Sequence, residues 1–217
     1  MDIIKLGLWM GKHLSLTSGH RLARLAGSAI ALAQNSNLML AIKANQWVAS
    51  AESLNRKQLV QLSRQVMQND VVALSDFFYY YHRIEECIQR VRLSPNFQQM
   101  LTEGKDQHQP QILLGPHLGA FDLMGLLVVK LGLPVVILSY PNPKGTYKTQ
   151  NKIREDAGMR ILPINLSAFR EAKQALKHGE SLVTGIDRPI ESNQEVKYQP
   201  KFFGRPASLP TFYVRMA

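Results

Sequence analysis

The spacing of apolar residues changes near residue 110, and that change divides the chain into two kinds of structure. Upstream, Leu59, Leu62, Val66, Met67, Val71, Leu74, Phe77 and Phe78 recur every three to four residues. That period puts them on one helix face and predicts a single amphipathic helix from about Asn55 to about Val91. Cap and turn residues cluster at Thr17 to Gly19, Asn35 to Asn37 and Ser94 to Pro95, so the N-terminal half reads as helices broken at those points. Downstream, short apolar runs alternate with helical stretches, the pattern of helices packed on a largely parallel sheet. Ile112 to Leu114, Pro134 to Leu138, Arg160 to Leu162 and Ser181 to Thr184 read as strands. Gly119 to Leu131, Thr146 to Ala157 and Ser167 to His178 read as helices, with Ser167 as an N-cap.

The expected fold class is therefore α/β: a layered fold with a largely parallel central sheet flanked by helices, preceded by an all-helical N-terminal region. The boundaries fall at 1–109 and 110–217. A length of 217 residues with 45% hydrophobic content suffices for one substantial core. Leu209-Pro210 followed by Thr211 to Ala217 reads as the opening of a helix that stops about two turns in. An α/β core ending there is expected to be incomplete at its C-terminus, with an unpaired sheet edge and the far wall of its pocket missing.

Charge narrows the partners. Lys and Arg number 26 against 16 Asp and Glu, a net +10, which favours nucleic acid, anionic lipid or a phosphorylated cofactor without choosing among them. The lone Cys87 cannot form an internal disulfide and reads as a reduced, buried thiol in a helix. Lys5, Lys12, His13, Arg21 and Arg24 interrupt the N-terminal apolar residues, so no stretch reaches the roughly 18 residues of a spanning helix. Ile3, Ile4, Leu6, Leu8, Trp9 and Met10, then Leu22, Leu25, Ala29 and Leu32, fit either a helix lying on a membrane surface or a helix packed on a core.

One segment carries chemistry. Gly115-Pro116-His117-Leu118-Gly119-Ala120-Phe121-Asp122 places a histidine just past a strand end and an aspartate on the first turn of the next helix. Ligands of open α/β sheets bind outside the carboxyl ends of the strands. A neutral imidazole can take a proton from an alcohol, and a carboxylate on its other nitrogen fixes the tautomer and stabilises the imidazolium. The spacing predicts that His117 and Asp122 meet as base and orienter. An N-terminal helix cap beside a surface histidine would give the same spacing.

The run from His117 onward resembles the lipid A biosynthesis acyltransferases, a family that includes bacterial lauroyl acyltransferases and phosphatidylinositol mannoside acyltransferases, within the lysophospholipid acyltransferase group. The resemblance rests on the His-x4-Asp motif His117 to Asp122, the block Asn151-Lys152-Ile153-Arg154, the acidic block Gly185-Ile186-Asp187-Arg188-Pro189, and Phe202-Phe203-Gly204-Arg205-Pro206-Ala207, in order and spacing. Asn45 and Asp76-Phe77-Phe78 also look like family positions. The resemblance implies a glycerolipid-acyltransferase-like fold. It further implies transfer of a fatty acyl group from acyl-CoA or acyl carrier protein to a hydroxyl of a lipid or glycolipid. No bound cofactor, no metal and no acyl-enzyme are implied, and the expected place is the cytoplasmic face of a bacterial inner membrane, held peripherally. By the same resemblance His117 and Asp122 are catalytic, while Arg154, Asp187, Arg188, Phe203 and Gly204 bind substrate, Arg154 through phosphate; read alone, Arg154 is equally a cation complementing a helix end, and Asp187 and Arg188 equally pair with each other. Phe202 and Phe203 are expected in a pocket wall, with Gly204 allowing close backbone approach.

The residues read alone agree. The chain has no Gly-x-Ser-x-Gly elbow, His-Glu-x-x-His pair, Gly-x-Gly-x-x-Gly run or Walker lysine loop, which leaves direct attack by the acceptor oxygen. From Lys144 to Arg205 twelve cations face seven acids, a surface suited to anionic headgroups or donor phosphates, or simply to solvated helix faces. Two other functions fit the same sequence. A thioesterase would use the same site with water as acceptor. A non-catalytic basic module would hold membrane or nucleic acid, although no nucleic-acid-binding motif is present, and nucleic acid is not an expected partner.

Overall fold

The computed structural model describes residues 2–187 and 199–217. Six helices come first: α1 (Ile3–His13), α2 (Leu16–Ile30), α3 (Asn37–Ala49), α4 (Arg56–Tyr81), α5 (Ile84–Arg90) and α6 (Pro95–Asp106). Then strands and helices alternate: β1 (Ile112–Gly115), α7 (Phe121–Lys130), β2 (Val135–Ser139), α8 (Thr146–Asp156), β3 (Arg160–Pro163), α9 (Leu166–Lys177) and β4 (Ser181–Gly185). A two-strand hairpin, β5 (Lys201–Phe202) and β6 (Arg205–Pro206), and a 3-10 turn at Phe212–Arg215 follow. The α/β class, the parallel sheet and the all-helical N-terminal region agree with the sequence pattern.

Local chemistry sets the helix boundaries. Ser15, Ser36 and Ser94 accept backbone N–H bonds as N-caps of α2, α3 and α6, and Asn55 opens α4 in a reciprocal capping box with Gln58. The first break therefore falls at Leu14-Ser15 rather than at Thr17 to Gly19, which lie inside α2. The long helix expected through Val91 is divided at His82-Arg83. Arg83 leaves helical geometry at φ -139° and turns its guanidinium onto the end of α1, bonding the carbonyls of Gly11 at 2.7 Å and Lys12 at 3.0 Å. Those carbonyls have no partner within α1, so Arg83 caps a helix distant in sequence, which no local pattern signals. Asn165, not Ser167, caps α9, its Oδ1 accepting from Ala168 N–H at 2.7 Å while Ser167 Oγ donates to the same oxygen. The helix expected from Thr211 is instead the short 3-10 turn.

The four-stranded sheet has the order β1-β4-β2-β3 and is parallel throughout. Its strands alternate faces with period two. Val136 and Leu138 meet Ala168, Ala172 and Ala175 of α9, whereas Val135 meets Leu101 of α6 and Val128 of α7. On that second side a larger cluster joins Ile4 of α1, Phe77 and Phe78 of α4, Cys87 of α5, Leu123 and Leu127 of α7 and Ile153 of α8. The N-terminal helices thus share a core with the helices that flank the sheet, and Cys87 is buried as expected. Among the described residues no helix is long and apolar enough to cross a membrane.

Candidate active site

The strand order decides which side chains meet. β1 and β4 are parallel neighbours with Gly115 opposite Gly185, so His117 and Asp187 lie two residues beyond the same rung of the ladder. Both project from the carboxyl edge of the sheet, where ligands of such sheets bind. One carboxylate oxygen of Asp187 accepts the His117 backbone N–H at 2.7 Å, and the other is 2.5 Å from Nδ1 of the imidazole. Burial pushes the Asp187 carboxyl up, but the side-chain and backbone hydrogen bonds from His117 outweigh that and hold it below its ordinary value. An ionised carboxylate can only accept, so Nδ1 carries the proton and the lone pair of the neutral ring is on Nε2. Among the described residues no hydrogen bond engages Nε2.

The ring is fixed on two further sides. Phe121 meets it edge to face at 4.6 Å between centroids. Gly185 lies so close that a Cβ there would stand 2.5 Å from Cε1 of His117. Gly119, at φ +55°, supplies the left-handed bend that carries the chain from His117 into α7. Leu114, Leu118, Phe121 and Met124, all near His117 along the chain, keep exposed apolar surface.

The expected contact of His117 with Asp122 is not the one formed. Asp122 stands in the first turn of α7, where its charge complements the helix dipole, and Oδ1 accepts from Nε of Arg154 at 3.0 Å and Nη2 at 2.5 Å. Arg154 is partly buried in this pairing, with side-chain exposures of 12% for Arg154 and 17% for Asp122. Its Nη1 donates to Asn151 Oδ1 at 3.0 Å, and the Asn151 amide donates to Ser139 Oγ at 2.9 Å. Tyr147 closes the group from α8: burial pushes its hydroxyl up, but the hydrogen bond from Ser139 and the charge of Arg154 hold it below its ordinary value. A continuous polar chain therefore ties the start of α7 to α8 and the end of β2. Ser139 and Tyr147 were not legible as site residues; a serine closing an otherwise apolar strand was the one available signal.

The remaining expected residues fall elsewhere. Phe203 and Gly204 form the two-residue turn of the β5–β6 hairpin with φ 49° and 76°, the pattern of a type I′ turn. Gly204 serves the left-handed backbone of this turn, and among the described residues a Cβ there would meet nothing within 4 Å. Phe202 and Phe203 are exposed, and Arg205 pairs with Glu52 and lies 5.3 Å over the Trp47 ring, which seats the hairpin on the end of α3. Arg188 lies outside the described residues. Asp76 is held by His20 at 2.6 Å, and Asn45 is exposed on α3. Among the described residues no three His, Cys, Asp or Glu side chains converge as metal ligands would.

The family model of the bacterial lipid A biosynthesis acyltransferases matches residues 55–217, more than half of the chain and all of the site. Among proteins of curated function none matches.

Proposed function

The chain belongs to the bacterial lipid A biosynthesis acyltransferase family, and from that premise we propose that it moves a fatty acyl group from an acyl thioester to a hydroxyl of a membrane lipid, with His117 as general base. The observation that carries this reading is the bond from His117 Nδ1 to Asp187, which leaves Nε2 as the basic nitrogen at the carboxyl edge of the sheet.

In the proposed reaction the acceptor hydroxyl binds Nε2. As its oxygen attacks the thioester carbonyl, the O–H proton passes to Nε2, and Asp187 stabilises the imidazolium. The tetrahedral intermediate then collapses, the carbon–sulfur bond breaks, and the imidazolium returns its proton to the departing thiolate. Ester and thiol form, and His117 is neutral again. The oxyanion forms near the start of α7, where among the described residues no side chain caps the helix amides. Asp187 is the orienter in this scheme, and Asp122 is a positioning residue that clamps α7 to α8 through Arg154. Acyl-CoA or acyl carrier protein supplies the thioester, and the reaction takes place at a membrane surface, where a lipid acceptor and its acyl product reside. Arg188, Phe203 and Gly204 are proposed to bound the acceptor side.

The test is acyl transfer by the full chain with acyl-CoA or acyl carrier protein and membrane lipids, the products identified by mass spectrometry. His117→Ala is expected to lose about 10²- to 10⁴-fold in rate, the usual worth of a positioned base. Retention of full transfer by that variant would refute the mechanism, and thioester loss without acyl-lipid would make the enzyme a hydrolase.

A further inference from the structure

Helices α1 and α2 both pack on α4 and barely touch each other. Glycine sets that arrangement. Cβ atoms at Gly7 and Gly11 would overlap the Phe78 ring and backbone, and one at Gly27 would stand 2.7 Å from Cα of Gln68, so each helix sits with its backbone against α4. The space between them is left as an apolar trough of about 490 Å³, a volume typical of small-ligand sites. Leu6 and Met10 of α1, Leu22 and Leu25 of α2, and Val71 and Phe78 of α4 line it. Leu22 and Leu25 are 44% and 68% exposed at its rim. Ile3 also lines it, next to Asp2, the N-cap of α1, which accepts a hydrogen bond from Thr149 of α8 at 2.5 Å.

Charge identifies the occupant. Between Asp2 and Glu52 the chain has no Asp or Glu, while Lys5, Lys12, Arg21 and Arg24 on α1 and α2 are exposed. Among the described residues none of these four makes a salt bridge. Arg21 and Arg24 flank the exposed Leu25 on the outer face of α2, as on helices that lie in an anionic bilayer surface.

We propose that this trough seats one acyl chain of an anionic membrane phospholipid, with the cations of α1 and α2 holding its headgroup and the surrounding leaflet. The inference rests on the membrane-surface part of the proposed function and not on His117.

The experiment mixes the full chain with phosphatidylcholine vesicles containing or lacking phosphatidylglycerol, each with a trace of phospholipid bearing a photoactivatable diazirine midway along one acyl chain. Sedimentation is expected to favour the anionic vesicles by more than about ten-fold, since cations near such a surface are drawn to it. Peptide mapping is expected to find the label on Leu6, Met10, Leu22 or Val71. The double variant Leu22→Asp/Leu25→Asp is expected to lose that label with circular dichroism unchanged, and Arg21→Gln/Arg24→Gln to lose the preference for anionic vesicles. Equal binding to both vesicles, label confined to Leu118, Phe121 or Phe203, or a lipid-free dimer that buries the trough would overturn the proposal. His117→Ala separates the two readings. Trough labelling with transfer intact in that variant sinks only the mechanism. Lost transfer without trough labelling sinks only this inference.

Discussion

Asp187 holds His117 at two points, accepting its backbone N–H at 2.7 Å and bonding Nδ1 at 2.5 Å. A single carboxylate thus fixes both the place of the residue and the tautomer of its ring. Asp187→Asn keeps the shape but offers an amide N–H to one of two donors, so one bond must be lost or the ring must turn. Acyl transfer by Asp187→Asn is expected to fall by about 10²- to 10⁴-fold in kcat, matching the loss at His117 itself, while the KM for the thioester changes little. Wild-type kcat in that variant would remove Asp187 from the mechanism.

The same contact makes stability depend on pH. The Asp187 carboxyl is lowered in the folded protein despite the opposing effect of burial, because of its hydrogen bonds from His117. A lowered folded value means that the stabilisation is present above the unfolded aspartate value, about 3.9, and is lost as pH falls through the lower folded value. Urea unfolding followed from pH 7 down through that range is expected to show a decline that is shallower in Asp187→Asn. Parallel curves for the two proteins would contradict the linkage.

Much of the architecture was legible in the sequence because it is written locally. Each expected strand lies within a residue of the observed one at each end, since apolar runs such as Val135 to Leu138 and their flanking glycines carry the signal. His117 was legible for the same reason, standing just past the end of β1. Its partner was not. His117 and Asp122 are close in sequence, but the side chain that meets His117 comes from beyond β4, seventy residues on. That pairing depends on β4 lying between β1 and β2, and strand order is set by helix packing on both faces, which no window of sequence displays. The Arg83 cap on α1 and the Asn151–Ser139 bond also join separate elements, so no local pattern signals them.

Gly185 offers a probe of the ring's position that leaves the polar groups intact. A Cβ at this residue would stand 2.5 Å from Cε1 of His117. No left-handed φ restricts the position, so alanine fits the strand backbone and the strain falls on the imidazole. With Asp187 anchoring Nδ1 and Phe121 against the ring, the displacement is passed to Nε2. Gly185→Ala is expected to lose about 10²-fold in kcat, the scale of a 1 Å misplacement, with little change in thermal unfolding. Undiminished activity would mean that the ring has room to move without cost.

The pair Asp122–Arg154 tests whether the arginine braces the site or binds the donor. At 12% and 17% exposure neither charge is well solvated alone, and all the observed bonds of Arg154 run inward to Asp122 and Asn151. Removing one member strands the other, so Asp122→Asn and Arg154→Gln are each expected to destabilise by about 3 kcal/mol, the lower end for a broken buried pair. The double variant is expected to cost less than the sum by about 1 to 3 kcal/mol, because the second change removes a charge already unpaired. Kinetics separate the roles. A brace acts through the placement of α7, so both single variants are expected to lower kcat together while the KM for the thioester stays within about twofold. A phosphate-binding Arg154 would behave differently: Arg154→Gln would raise the donor KM, and Asp122→Asn, by releasing the guanidinium, would lower it.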